Sequence, residues 1–174
     1  MTPLSQLGCR ICILGPSNSG KSTLAVAIGD KLAVEVVHLD RLRHRPQTDW
    51  QPRPQAEFIA LHDCAIAGEA WVMEGNYSVC LPQRLARATG VIVLDVSAGL
   101  SLLRYLRRCW WRADRAGGLD GGHDSVKWEM IRHIVLITPT NRRRYRALYH
   151  DLGLPKCRLA SRRRIEAYRH REGL

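Results

Sequence analysis

Short apolar segments alternate along this chain with longer segments in which apolar residues recur every three or four positions. Residues 10–14 and 91–96 are almost continuously apolar, as is typical of strands that are buried on both faces of a sheet. Within residues 21–32, apolar positions recur at intervals of four, which predicts a helix. The alternation of the two patterns predicts an α/β fold in which helices cover both faces of a parallel sheet.

The same patterns predict five strands and seven helices. The predicted strands cover residues 10–14, 34–38, 71–73, 91–96 and 157–159, and the helices cover 21–32, 55–68, 82–88, 100–116, 125–137, 140–152 and a last segment that starts at Ser161. We find no internal repeat and no linker, so we expect residues 1–174 to form a single domain.

The connection between the first strand and the first helix has the pattern of a phosphate-binding loop. Residues 15–22 read Gly-Pro-Ser-Asn-Ser-Gly-Lys-Ser. In such a loop, backbone N–H groups and the helix dipole converge on phosphate oxygens. Lys21 is predicted to reach the β- and γ-phosphates as a catalytic residue, and Ser22 to bind Mg²⁺. The predicted nucleotide-binding residues here are Gly15, Pro16, Ser17, Asn18, Ser19, Gly20, Lys21, Ser22 and Thr23.

Three carboxylates lie at the ends of predicted strands: Asp40, Glu74 and Asp95. The carboxyl ends of parallel strands meet at one edge of a sheet, where ligands bind, so we expect these side chains near the phosphate loop. Asp40 is predicted to be catalytic by orienting the acceptor of a phosphoryl group. Glu74 is predicted to border the acceptor or Mg²⁺, and Asp95 to hold Mg²⁺. Helix capping or exposure to solvent is the alternative for each.

Arginines share one face of the predicted helix over residues 100–116, at spacings of four, four and three: Arg104, Arg108, Arg112 and Arg115. The glycine-rich segment 117–122 follows. This arrangement predicts a lid over about 104–128 that closes on the transferring phosphate and excludes water, with Arg108 and Arg112 as catalytic residues. A solvated helix face would have the same pattern.

The net charge of +11 is carried entirely by the second part of the chain. Residues 1–100 contain nine basic and nine acidic residues, whereas 101–174 contain eighteen and seven. Of the 27 basic residues, 23 are arginine, which is suited to bidentate contacts with phosphate or carboxylate groups. The clusters at 142–146 and 162–164 are compatible with nucleic-acid binding or with solvated helices.

Other sequence features exclude several classes of protein. The six cysteines are scattered and show no second pair at zinc-ligand spacing, so we expect reduced thiols. No apolar run approaches the roughly 18 to 20 residues of a membrane span, and the N-terminus lacks the pattern of a signal peptide. We therefore expect a cytoplasmic protein without a membrane partner.

The phosphate loop, His-Leu-Asp at 38–40 and Trp-Val-Met-Glu-Gly-Asn-Tyr-Ser at 71–78 together resemble the adenylate-kinase-related P-loop proteins called DNA topology modulation proteins of the FlaR type. The likeness continues through 94–95, 102–108, 127–129 and 159–163. It implies a three-layer P-loop NTPase fold of the nucleoside-monophosphate-kinase type, with a five-stranded parallel sheet, a helical lid, and ATP and Mg²⁺ as cofactors.

The resemblance also implies roles for single residues. Nucleotide contacts fall on Arg104, Ser161 and Arg162, and acceptor contacts on Asp40, Glu74, Gly75, Asn76 and Tyr77. Glu74 stands where the family usually has Asp. Adenylate kinases themselves read Asp-Gly-Phe-Pro-Arg at 74–78, so the arginine that would grip an acceptor phosphate is absent here. Asp40 resembles the acidic residue that shikimate and gluconate kinases present to an acceptor hydroxyl.

The sequence thus predicts an ATP-dependent small-molecule phosphotransferase, acting as a monomer or homodimer. Its acceptor would be a nucleoside, a nucleotide or a small hydroxylated metabolite. A P-loop NTPase that binds nucleic acid and modulates DNA topology is the main alternative, although no DNA-reading motif is visible. A nucleotide-binding regulator is a third. A kinase should gather its arginines around one crevice, whereas a DNA-binding protein should spread them over an open face.

Overall fold

The computed structural model describes residues 1–48, 50–110, 128–132 and 137–174. Its centre is a five-stranded sheet with the order β2-β3-β1-β4-β5, in which every neighbouring pair is parallel. The strands are β1 (Arg10–Leu14), β2 (Glu35–His38), β3 (Trp71–Glu74), β4 (Gly90–Leu94) and β5 (Lys156–Leu159). The predicted sheet is therefore confirmed.

Helices connect the strands, and they are numbered in chain order. They are α1 (Lys21–Leu32), α2 (Leu39–Arg43), α3 (Gln55–Ile66), α4 (Leu81–Arg87), α5 (Ala98–Trp110), α6 (Trp128–Arg132), α7 (Thr138–Asp151) and α8 (Arg162–Glu172). Two 3₁₀ turns, Leu4–Gln6 and Ser78–Cys80, complete the described elements. No helix in these described ranges is long and apolar enough to cross a bilayer.

The sheet separates two hydrophobic cores, because successive strand residues point to opposite faces. Ile11 and Ile13 of β1 pack in the core that also contains side chains of α1 and α8. Cys12 and Leu14 pack in the other core, which contains side chains of α3, α4 and α7. Both faces of the central strands are buried, which explains their continuous apolar sequence. The expected three-layer arrangement is confirmed.

The largest difference from the predicted elements lies after β2. The sequence predicts no helix or strand between the strand that ends at His38 and the helix that starts at Gln55, but this Pro- and Arg-rich segment begins with the short helix α2 and then returns through a β-bridge between His44 and Pro52. Arg53 stabilises this turn, because its Nη1 donates to the carbonyl oxygens of Arg41 and Leu42 at 3.1 and 3.0 Å. Most of the predicted lid lies outside the described residues.

Candidate active site

The phosphate loop occupies the sheet edge between the end of β1 and the start of α1. Gly15 and Gly20 have φ angles of +147° and +96°, in the region that favours glycine. A Cβ atom at Gly15 would lie 2.5 Å from the carbonyl oxygen of Leu94 in β4. The first glycine of the motif is thus required both by the backbone conformation and by the close approach of a neighbouring strand.

Polar groups of this loop are arranged as a cradle that fits an anion. The Nζ of Lys21 folds back and donates to the Pro16 carbonyl oxygen at 2.9 Å. Ser19 is fully buried, and its Oγ has no hydrogen-bond partner among the described residues. A buried hydroxyl without a partner and a lysine that bonds to the backbone of the same loop fit a site that receives phosphate oxygens. Thr23 is exposed on the first turn of α1.

Glu74 lies beside the phosphate loop as the last residue of β3. His38 is its register partner on β2, and the His38 Nδ1 donates to Glu74 Oε1 at 2.9 Å. The Ser22 hydroxyl donates to the same oxygen, also at 2.9 Å. Burial raises the pKa of Glu74, but the His38 bond, the Lys21 charge and the Ser22 bond outweigh burial and lower the pKa overall. Glu74 is therefore a buried carboxylate held in its ionised form.

Asp40 lies in the first turn of α2 and faces the loop that follows β3. The Tyr77 hydroxyl donates to Asp40 Oδ1 at 2.7 Å, and the Tyr77 ring packs on Phe58 with the ring centroids 5.0 Å apart. Burial and the adjacent Asp40 charge raise the pKa of Tyr77, so the phenol stays protonated and can only donate to the carboxylate. Asp40 and Glu74 thus border the same edge of the sheet, as predicted.

Gly75 and Asn76 connect Glu74 to Tyr77, and both residues form hydrogen bonds to other parts of the protein. The Asn76 side-chain amide is bonded to the backbone of Gly15. The Gly75 carbonyl oxygen accepts from Nη2 of Arg84, a fully buried arginine, at 3.3 Å. Both residues therefore lie between the phosphate loop and Tyr77, which contacts Asp40.

Arg104 reaches the phosphate loop from α5, where its Nη1 donates to the Ser19 carbonyl oxygen at 2.5 Å. Burial, and then the nearby charge of Arg162, lower the pKa of Arg104, while Glu166 opposes both. The Ser161 hydroxyl caps α8 by accepting from the Arg164 backbone N–H at 3.2 Å. Arg104 thus lies at the predicted nucleotide site with Arg162 nearby, whereas Ser161 has a helix-capping contact.

Asp95 follows β4 and is bonded to arginines of α7. Arg142 Nε lies 2.8 Å from Asp95 Oδ1, and Arg146 Nε lies 2.6 Å from Oδ2. Arg158 of β5 adds a longer contact of 3.9 Å to Oδ2. The Asp95 side chain is only 1% exposed, and each of its two oxygens accepts a hydrogen bond from one of these arginines. Sequence reasoning assigned these arginines only to basic clusters, although the spacing of four between Arg142 and Arg146 signals a shared helix face.

Of the four arginines predicted for the lid, only Arg104 has a described side chain. Arg112 and Arg115 lie outside the described residues, and so does the side chain of Arg108. Within the described ranges, no group of three His, Cys, Asp or Glu side chains could hold a metal ion by itself. A Mg²⁺ site formed from Ser22, Glu74 and phosphate oxygens needs no such group, because Mg²⁺ commonly binds one or two carboxylates together with substrate phosphates.

Solved kinase structures share this fold. A gluconokinase from Sinorhizobium meliloti 1021 superposes with a TM-score of 0.56 at 14% identity, over 95% of this chain and 94% of that chain. A shikimate kinase from Aquifex aeolicus VF5 gives 0.52 at 15% identity, over 92% of each chain. No family model and no curated protein matches the sequence, so the resemblance to the FlaR type is not confirmed. The chain therefore has the fold of these two kinases.

Proposed function

We propose that this protein is an ATP-dependent phosphotransferase that acts on the hydroxyl group of a small molecule. The main observation behind the proposal is that residues suited to bind a phosphoryl donor and residues suited to bind its acceptor lie together at one edge of the sheet. The phosphate loop with Lys21 forms the donor half, Asp40 and Tyr77 form the acceptor half, and Glu74 lies between them. The kinase fold of the structural neighbours agrees with this proposal.

In the donor half, the backbone of residues 15–22 and Lys21 would hold the ATP phosphates, with Arg104 at the side of the loop. Ser22 and Glu74 would hold Mg²⁺ together with phosphate oxygens. Mg²⁺, when bound, neutralises the charge that develops on the β- and γ-phosphates. The two hydrogen bonds from His38 and Ser22 both use Oε1 of Glu74 and keep the carboxylate ionised and oriented.

In the acceptor half, Asp40 would accept a hydrogen bond from the acceptor hydroxyl and orient its oxygen toward the γ-phosphorus. The new O–P bond forms as the bond to the ADP oxygen breaks, and the hydroxyl proton passes to the Asp40 carboxylate. The hydrogen bond from the Tyr77 hydroxyl to Oδ1 holds the Asp40 carboxylate in place for this role. We favour an alcohol over a nucleoside monophosphate, because the Asp40 carboxylate repels an acceptor phosphate and Ser78 replaces the gripping arginine.

We assign Asp95 to holding Arg142 and Arg146 beside the phosphate loop rather than to Mg²⁺. Both of its oxygens already accept from these arginines, so a cation there would have to displace them. Gly15 packs against Leu94, which directly precedes Asp95. The arginines thus bring positive charge to the edge where phosphoryl transfer would occur, and positive charge there stabilises the transferring phosphoryl group.

The distribution of exposed arginines does not favour the nucleic-acid alternative. Arg143 and Arg144 belong to α7, whose Tyr145 packs in one core, whereas 162–164 belong to α8, whose Ile165 packs in the other. The two basic clusters therefore lie on opposite faces of the sheet. Arg104, Arg142 and Arg146 turn toward the phosphate-loop edge instead. This arrangement agrees with a crevice lined by arginines.

An acceptor screen tests the proposal. ADP release from ATP and Mg²⁺ is measured with panels of hydroxylated metabolites, nucleosides and nucleoside monophosphates, and with duplex DNA over a range of salt concentrations. We expect a hydroxylated acceptor to stimulate turnover, and Asp40→Asn to lose it while retaining ATP binding. Asp30→Asn, an exposed change in α1, is the matched control. Stimulation by DNA alone, with a steep salt dependence, would exclude the kinase proposal.

A further inference from the structure

Both polar atoms of the Asn76 side-chain amide are hydrogen-bonded to one residue of the phosphate loop. The Gly15 N–H donates to Asn76 Oδ1 at 3.2 Å, and Asn76 Nδ2 donates to the Gly15 carbonyl oxygen. The opposite amide orientation would place Nδ2 against the N–H and Oδ1 against the carbonyl oxygen, so the hydrogen bonds define the orientation. Asn76 therefore pairs with Gly15 much as a strand residue pairs with its neighbour.

Other elements hold the backbone on both sides of Asn76. The Tyr145 hydroxyl of α7 donates to the Asn76 carbonyl oxygen at 3.4 Å, and Arg84 of α4 donates to the preceding carbonyl oxygen. A Cβ atom at Gly75 would lie 2.7 Å from the Leu39 Cβ at the start of α2. The segment between Glu74 and Tyr77 is thus packed tightly, and a shift of Asn76 would also move its neighbours.

We propose that Asn76 is a positioning residue that couples the phosphate loop to the acceptor carboxylate. The connection runs from Gly15 through the Asn76 amide to Tyr77, whose hydroxyl holds Asp40. Because each polar atom of the amide makes a hydrogen bond to Gly15, we assign Asn76 a positioning role in addition to the acceptor contact predicted from the sequence. The functional part of this inference rests on the proposed function, whereas the Asn76–Gly15 pairing does not.

The first measurement follows exchange of the Gly15 amide hydrogen by NMR in the protein without nucleotide. Asn76→Ala removes the acceptor of this N–H and should accelerate its exchange by about tenfold. Asn76→Asp keeps the size and an acceptor oxygen but places a carboxylate oxygen against the Gly15 carbonyl oxygen, so its exchange rate should lie between those of the wild type and Asn76→Ala. Ser78→Ala, an exposed change in the same segment, should leave it unchanged. Equal exchange in Asn76→Ala and the wild type would overturn the pairing.

The second measurement tests coupling with ADP and Mg²⁺ as the probe. In the wild type, ADP binding at the phosphate loop should slow amide exchange over residues 75–78, and Asn76→Ala should remove this response and weaken ADP binding by about tenfold. An unchanged response or affinity in Asn76→Ala would overturn the coupling. If the wild type did not bind ADP, the proposed function would fail, and exchange at Gly15 would still decide the pairing. Melting temperatures and the size-matched Asn76→Asp variant separate these effects from unfolding.

Discussion

Replacement of Gly15 by alanine tests the geometry of the phosphate loop. The added Cβ would lie 2.5 Å from the Leu94 carbonyl oxygen and 2.9 Å from the Leu94 Cβ, closer than such atoms can approach. Strand β4 is paired on both sides and cannot easily move away. A residue with a side chain at φ +147° also costs about 1–3 kcal/mol, and overpacking a core adds about 1–3 kcal/mol. We therefore expect Gly15→Ala to destabilise the fold by about 2–6 kcal/mol.

The assay is urea unfolding, combined with ADP binding where the variant still folds. Gly99→Ala is the matched control, because Gly99 lies in α5 and a Cβ there would meet nothing within 4 Å. Alanine has the higher helix propensity, so the control should gain about 0.5–1 kcal/mol. If Gly15→Ala lost less than about 1 kcal/mol and bound ADP normally, the contact between the phosphate loop and β4 would be wrong.

Three further changes probe the carboxylates. Because the pKa of Glu74 is below its ordinary value of 4.5, its ionised form stabilises the fold above that pH, and this stability is lost as the pH falls through the folded-state pKa. Glu74→Gln should therefore weaken the acid dependence of unfolding measured across this range; an unchanged dependence would contradict the hydrogen bonds from His38 and Ser22. Tyr77→Phe should lower kcat/KM for the acceptor about tenfold without changing ADP affinity, and equal losses in both would argue against its contact with Asp40. Asp95→Asn should cost about 1–3 kcal/mol in urea unfolding, and full stability would show that its partly exposed arginine partners contribute little.

The sheet and the phosphate loop could be predicted because their signals are local. Continuous apolar runs predicted β1 and β4, and the loop motif needs only eight consecutive residues. The sheet edge on which Asp40 and Glu74 meet followed from the parallel topology. The short helix α2 was missed because its segment is rich in proline and arginine, and its turn is held by tertiary contacts from Arg53.

The partners of the site residues could not be predicted, because they are distant in sequence. Asn76 is 61 residues from Gly15, and Arg142 and Arg146 are 47 and 51 residues from Asp95. Sequence spacing on α7 shows that its arginines share a face but not which carboxylate they meet. The prediction from sequence and the contacts in the structure differ most for Asp95, which was predicted to bind Mg²⁺ and is in contact with arginines.

Transfer of a labelled γ-phosphate from ATP to the acceptor panel is the most direct test of phosphoryl transfer at this loop. The wild type and Lys31→Ala, an exposed lysine change on the same helix as Lys21, should both label an acceptor. Lys21→Ala should fold normally but reduce the label to background, because the contact with the β- and γ-phosphates is lost. Undiminished transfer by Lys21→Ala, or no transfer by the wild type to any acceptor, would contradict the proposed function.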